Sequence, residues 1–223
     1  MIDRSAFFDH ARRTLFDSRL SARQRQGLEL IIDSGVHRLG GGSRQALAYV
    51  LATAYHETGA AMQPIREKGG RAYLTRSYDI LGDKPTRART NGNTAPGDGI
   101  RYAGRGFVQL TWKNNYRRIG DLLGIDLVGS PDKALEPAIA ALILVRGMQE
   151  GWFTGRKLAD YFTEEESDRV QARRIINGLD RANLIAEHAQ KFEAALQAEG
   201  SPVRPSPPPP PRASAPQPPP ANR

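Results

Sequence analysis

The sequence predicts a mainly α fold: a single helical domain with at most a small β-hairpin region. Three observations predict it. Apolar residues recur at helical spacing through most of the chain. Strand-like signals are confined to short pieces between residues 64 and 105. The prolines are lopsided: eleven of 16 lie between Pro202 and Arg223, which leaves a body of about 200 residues with five. A body of that length buries a substantial core, whereas the proline-rich end, without an apolar pattern, does not. The chain is therefore read as a domain over residues 1–200 and a proline-rich, disordered tail over 201–223.

The elements follow in order. Ser21 and Gln24 have the spacing of a capping box, ahead of Leu28, Ile31, Ile32 and Val36. Gly40, Gly41 and Gly42 break that helix. Ser43 caps a second one, whose stripe of Ala46, Leu47, Val50, Leu51 and Ala54 runs into Tyr55-His56-Glu57-Thr58-Gly59. Gly59 is a natural stop. Ala72-Tyr73-Leu74 reads as a strand. Residues 82–104 read as one long loop, with Asn91-Gly92 and Asp98-Gly99 as turn signals. Helix is expected again from Phe107 to just before Gly124. Ser130-Pro131 reads as the cap and first turn of another. Pro137 opens a buried apolar helix through Val145, and two last helices are expected over 164–176 and 181–198, with Asp180 capping the second.

Composition narrows the chemistry. With 39% apolar and 25% charged residues, the chain suits a soluble globular protein. There is no cysteine, which excludes disulfides, thiolate metal sites and a Cys nucleophile. No apolar run approaches the ~18 residues of a membrane span. The net charge is +8, of which Arg204, Arg212 and Arg223 carry +3 in the tail. The remaining +5 on the body favours an anionic polymer: nucleic acid, anionic lipid or an acidic cell-wall glycan. Met1-Ile2-Asp3-Arg4-Ser5 lacks an apolar stretch of signal-peptide type, so synthesis in the cytoplasm is expected.

His56-Glu57 opens like H-E-x-x-H, but Ala60 stands where the second histidine belongs, and His10, His37 and His188 are scattered. No metal or cofactor site is expected. Glu57 ends an apolar helix at the rim of the core. A carboxyl there loses part of its hydration, which favours the neutral form of a general acid; the structural alternative is a helix-end Glu paired with an arginine. Glu67 lies between Arg66 and Lys68, whose charges favour an ionised base; its alternative is a solvated charge cluster. Together the two carboxyls suit glycoside hydrolysis, which needs one protonated and one ionised group across the bond. Thr111 and Asn115, four apart on the expected helix, share a face, with Gln109 near its start. They suit holding a water or an N-acetyl group, or else simple capping. Trp112 and Tyr116 read as core packing.

Four segments carry a resemblance. Ala54-Tyr55-His56-Glu57-Thr58-Gly59 resembles the catalytic-acid segment of glycoside hydrolase family 19, the chitinase and phage-endolysin family. Tyr102-Ala103-Gly104-Arg105-Gly106-Phe107-Val108-Gln109-Leu110-Thr111, continuing to Asn115-Tyr116, resembles its central signature. Asp126-Leu127-Val128 with Ser130-Pro131-Asp132 is similar to a third segment, with Ser130 in place of the usual Asn. Arg174-Ile175-Ile176-Asn177-Gly178 resembles the late segment whose Asn lines the cleft. The order holds over about residues 45–195.

The resemblance implies a lysozyme-like α+β fold with a catalytic cleft and an inverting mechanism. It makes Glu57 the acid, Glu67 the base and Thr111 a holder of the attacking water. It puts His56, Tyr102, Arg105, Gln109, Asn115 and Asn177 among the substrate-binding residues. The short spacing from Glu57 to Glu67 and the lack of cysteine resemble the phage and prophage members. Peptidoglycan is therefore the expected substrate, with chitin as the alternative. The implied setting is a monomer that reaches the cell wall after release, with a holin as partner. A non-catalytic wall-binding protein is the rival of another class. Nucleic acid is not an expected partner, because no concentrated basic helix is present. Deletion after Gly200 is expected to leave folding and cleavage intact.

Overall fold

The computed structural model describes residues 2–39, 44–163 and 166–199. The Gly40–Gly42 break, the Ser43 cap and the proline-rich tail lie outside the described residues. Helix α1 (Arg4–Leu15) is capped by Asp3, whose side chain accepts from the Ala6 amide. In α2 (Ala22–Leu39) the expected capping box is present: Gln24 N donates to Ser21 Oγ at 3.2 Å and Ser21 N to Gln24 Oε1 at 2.9 Å. Helix α3 (Arg44–Glu57) is buried on every side from Ala46 to Ala54. It packs against α9 (Ala182–Gln197), which in turn holds α1. Helix α8 (Pro137–Glu150) lies on α2.

These five helices enclose the main core, in which Phe7, Leu28, Ile31, Tyr49, Leu51, Leu144 and Phe192 are fully buried. A second, smaller core gathers Tyr102, Leu110, Tyr116, Ile119, Leu127 and Trp152 under α7 (Lys113–Leu123). Helix α8 belongs to both, with Leu144 in one and Ile143 in the other. Its run from Pro137 to Val145 is apolar without a break, and a helix apolar all round must be covered on both faces.

The sheet is minimal. β1 (Ile65–Arg66) pairs antiparallel with β2 (Arg105–Gly106), Ile65 opposite Gly106, within the small β region expected. Several local expectations change. Ala72-Tyr73-Leu74 is helical, inside α4 (Arg71–Tyr78). Only Leu74 of α4 is buried, and one apolar face is what a surface helix presents, not a strand.

Residues 82–104 are not one loop. They contain α5 (Pro85–Thr90) and α6 (Asp98–Arg101), tied down by buried side chains. Asp79 Oδ2 accepts from Gly97 N at 2.8 Å and Gly99 N at 2.9 Å. Asn93 Nδ2 donates to the Tyr78 carbonyl at 2.9 Å, and its Oδ1 accepts from Lys113 N at 3.1 Å. Short polar side chains that satisfy backbone groups replace the missing core here.

Helix α7 starts at Lys113 rather than Phe107, so 107–112 is irregular chain. Ser130 makes no side-chain cap, and Pro131–Leu135 is a 3-10 turn. The helix expected over 164–176 reduces to a 3-10 turn at Gln171–Ile175; residues 164–165 lie outside the described residues. The cap of α9 is Arg181, with φ 58°, rather than Asp180.

Candidate active site

Burial of α3 decides where its last residues emerge. His56 and Glu57 leave the core half-buried, at its rim. Glu57 Oε1 accepts from Arg173 Nη1 at 2.7 Å; the two side chains are 19% and 5% exposed. Arg173 Nε also donates to the Asp180 carbonyl at 3.2 Å. The guanidinium offsets the repulsion between a carboxylate and the negative end of α3. The helix-end ion pair, left open by the sequence, is therefore present. It fixes one carboxyl oxygen and gives the side chain a defined direction. His56 is biased toward neutral imidazole, first by burial, which outweighs the opposing charge of Glu57 and is reinforced by Arg173.

Glu67 directly follows β1. Its backbone N donates to the Gly104 carbonyl at 2.8 Å, and Gly104 N donates back to Oε2 at 2.9 Å. Oε1 accepts from the Tyr78 hydroxyl at 2.6 Å. Both oxygens act as acceptors, the configuration a base requires. Burial, and then the bond to Glu67, push the Tyr78 phenol well above its ordinary range, so it stays a donor. The expected role of Arg66 is corrected: its guanidinium turns to Asp132 at 2.7 Å, which also binds Arg105 Nε at 2.8 Å. Burial pushes Asp132 up, but the hydrogen bonds and charges of these two arginines outweigh it and hold the carboxyl below its usual range. Gly104 leaves room for two polar side chains of the site. A Cβ there would stand 2.7 Å from Gln109 Oε1 and 3.0 Å from Glu67 Oε2.

The segment 107–112 crosses the seam between the two cores: Phe107 belongs to one, Leu110 to the other, and Val108 packs against both. A cavity of about 160 Å³ opens at this seam, lined by Gln109, Thr111, Trp112, Asn115, Trp152, Phe153 and Ile176 among others. Gln109 (φ 53°) and Trp112 (φ 79°) both adopt left-handed backbone. Such conformations cost about 1–3 kcal/mol each and persist where packing over-determines them. Here the Trp112 ring meets Tyr78 edge-on, with centroids 5.1 Å apart, and Arg87 lies over it at 5.4 Å.

The three expected polar residues come together, though not as a helical row. Thr111 lies two residues before α7. Its hydroxyl donates to the Gln109 carbonyl at 2.8 Å, and Asn115 Nδ2 donates to the Thr111 carbonyl at 2.8 Å. Gln109 Nε2 reaches the Ile65 carbonyl at 3.1 Å, which ties the cavity wall to β1 and so to Glu67. Asn177 is exposed and follows the cavity-lining Ile176.

Two expected substrate contacts are instead internal. Tyr102 is 2% exposed, and its hydroxyl donates to the Val128 carbonyl at 3.2 Å. Arg105 is 3% exposed; beyond Asp132, its Nη1 donates to the Ala103 carbonyl at 2.9 Å and to the Tyr116 hydroxyl at 3.0 Å. Burial raises the Tyr116 phenol to about 12, against the lowering charge of Arg105. These residues hold the wall of the site. Sequence reasoning missed Arg173, Tyr78, Trp152 and Phe153. Of these only Arg173 carried a signal, since it immediately precedes the Arg174–Gly178 segment.

Among the described residues, no group of three or more His, Asp or Glu side chains is arranged to hold a metal, and no helix is long and apolar enough to cross a membrane.

The family model for chitinase class I, glycoside hydrolase family 19, matches residues 41–153, about half of the chain, and spans both carboxyls. The chain belongs to glycoside hydrolase family 19. Its similarity to individual relatives is local. It is 48% identical to chitinase 8 of Oryza sativa subsp. japonica over 40 residues, 18% of this chain and 15% of that protein. It is 44% identical to basic endochitinase B of Arabidopsis thaliana over 43 residues, 19% and 13% of the two chains. An inactive chitinase-like protein 1 of Hevea brasiliensis is 50% identical over 34 residues, 15% and 11% of the two chains. This chain thus spans only 11–16% of the length of the curated relatives it matches.

Likeness of fold is broader. Chitinase C of Streptomyces griseus HUT6037 superposes with TM-score 0.59 at 22% identity, covering 90% of this chain and 78% of that one. A bacterial family 19 chitinase superposes with TM-score 0.54 at 22% identity, covering 89% and 96%. The mainly α, lysozyme-like fold expected of a family 19 protein is the fold observed.

Proposed function

We propose that the protein is a glycoside hydrolase that cleaves β-1,4 bonds of peptidoglycan by an inverting, two-carboxylate mechanism. The observation that carries this reading is the separate fixing of two carboxyls in a family 19 chain. Glu57 is held through one oxygen by Arg173, and Glu67 through both oxygens by Tyr78 and Gly104. In the mechanism Glu57, ion-paired with Arg173 in the free protein, takes up a proton as the bound glycan excludes water and gives it to the glycosidic oxygen as the bond breaks. Glu67 takes a proton from water on the opposite face of the sugar. Thr111 and Asn115 steady that water and the N-acetyl group. An inverting pair stands about 6.5–9.5 Å apart to admit the water. In the same reading the basic body is drawn to the anionic wall after release from the cytoplasm, with a holin opening the way, and the protein works as a monomer.

A second reading is chitin cleavage, favoured by the relatives named as chitinases. A non-catalytic wall-binding role has its own support in the relative named inactive. Purified sacculi and chitin oligomers, digested side by side, separate the three. Muropeptide products with inverted anomeric configuration by NMR support the proposal, and products from chitin alone overturn the substrate. Glu57→Gln is expected to lower cleavage by about 10³-fold or more while wall binding survives; unchanged lysis by that variant overturns the mechanism.

A further inference from the structure

A second recess lies beside the candidate site and takes no part in the mechanism above. It has a volume of about 310 Å³ and is lined by Tyr73, Arg76, Tyr78, Asp83, Lys84 and Arg87, from α4, α5 and the turn between them. That is the lower end of the range for small-ligand pockets, about 300–1,000 Å³. Three cations face one acid. Asp83 lies 3.9 Å from Arg76 across a solvated gap, with both side chains well exposed. Such a pair is weak and leaves Arg76 available to a ligand.

The recess and the cavity share a wall. Tyr78 lines the recess while its hydroxyl holds Glu67. Trp112 lines the cavity while its ring packs on Tyr78 and under Arg87, which lines the recess. Tyr78 therefore joins Glu67 to the recess. Tyr73, 41% exposed, offers an aromatic face there, and aromatic faces pack against the apolar faces of sugars.

We propose that this recess is a subsite for the muramic acid unit of the glycan with its lactyl-linked peptide, whose free carboxylate supplies the charge, the lactyl carboxyl being spent in the amide bond to that peptide. Arg76, Lys84 and Arg87 pair with the carboxylate, and Tyr73 packs on the sugar. Arginine forks match a planar carboxylate, and one acid among three cations suits a monoanion better than a polyphosphate. A neutral chitin unit gains nothing from these charges, so the recess sets substrate choice. The inference deepens the peptidoglycan reading and rests on it.

The test uses ligands with no glycosidic bond to cut. Unaltered protein is titrated by NMR with muramyl dipeptide, with its neutral amide, and with inorganic phosphate, alongside digestion of sacculi. The acid is expected to bind about tenfold more tightly than the amide, the weight of one charge-assisted hydrogen bond. The preference shrinks with added salt. Lys84→Ala with Arg87→Ala, and separately Lys84→Glu, bring the ratio close to one; both positions are exposed, so unchanged melting checks the fold. Digestion of sacculi with equal binding of acid and amide overturns the subsite alone. The same holds if the variants lose both ligands equally, or if phosphate binds as well as the dipeptide. No digestion of sacculi overturns the proposed function itself.

Discussion

Arg173→Met removes the guanidinium that anchors Glu57 and keeps most of the side-chain volume. Arg173 is 5% exposed on its side chain and Glu57 19%, so the pair is largely withdrawn from water. Removing one partner of a buried ion pair costs about 3–5 kcal/mol, chiefly because the other charge is stranded. Glu57 keeps some access to solvent, which relieves part of that penalty and points to about 3 kcal/mol. The carbonyl of Asp180 also loses its donor. For a domain of this size each kcal/mol lowers Tm by about 2–4 °C, so the variant melts about 6–12 °C below the parent at pH 7. Thermal unfolding followed by circular dichroism reads this directly. Glu57→Gln removes the stranded charge, so in the double variant much of the loss is recovered, with a coupling of about 1–3 kcal/mol. A melting point within about 2 °C of the parent, or a coupling under about 0.5 kcal/mol, refutes the reasoning. The pair would then be a solvated contact.

Three further outcomes are expected. Tyr78→Phe takes the 2.6 Å donor from Glu67 but keeps the ring against Trp112; cleavage falls about tenfold with little change in Tm, and a shift in the acidic limb of the pH–rate profile distinguishes this from a packing loss. Gly27→Ala puts a Cβ 1.7 Å from the Met62 carbonyl oxygen, which as backbone does not swing aside; the clash costs about 1–3 kcal/mol or more, against a helix-propensity gain of about 1 kcal/mol, so the urea midpoint falls instead of rising. Burial lowers the affinity of His56 and His188 for protons, so the unfolded chain binds more protons than the folded one. Stability is then complete above about pH 6.5 and declines as pH falls through the lower folded values; His188→Gln flattens the slope of Tm against pH in that window, and an unaltered slope counts against the assignment.

Much of the helical framework was legible in the sequence. The Ser21–Gln24 box, the all-apolar stretch of α3 and the Pro137 start of α8 are local signals, set by capping and by side-chain periodicity within a few residues. The same local rule misread Ala72-Tyr73-Leu74, whose apolar residues are too few to separate a helix from a strand. It also misread residues 82–104, because an Asp or Asn that binds distant amides looks like an ordinary loop residue. Glu57 was legible because its helix is self-evident and its end must emerge at the rim.

Local sequence by itself determined which residues are apolar on which stripe and where α2 and α8 start. Tertiary packing alone decided what each carboxyl touches. Arg66 and Lys68 flank Glu67 in sequence, yet the partners are Tyr78 and Gly104, because β1 pairs with β2 and turns Arg66 toward Asp132. Arg173 reaches Glu57 across 116 positions, and Tyr102 and Arg105 became wall instead of surface. A hydrogen bond needs its atoms within about 3 Å, and for residues far apart in the chain that proximity comes only from the packing of whole helices.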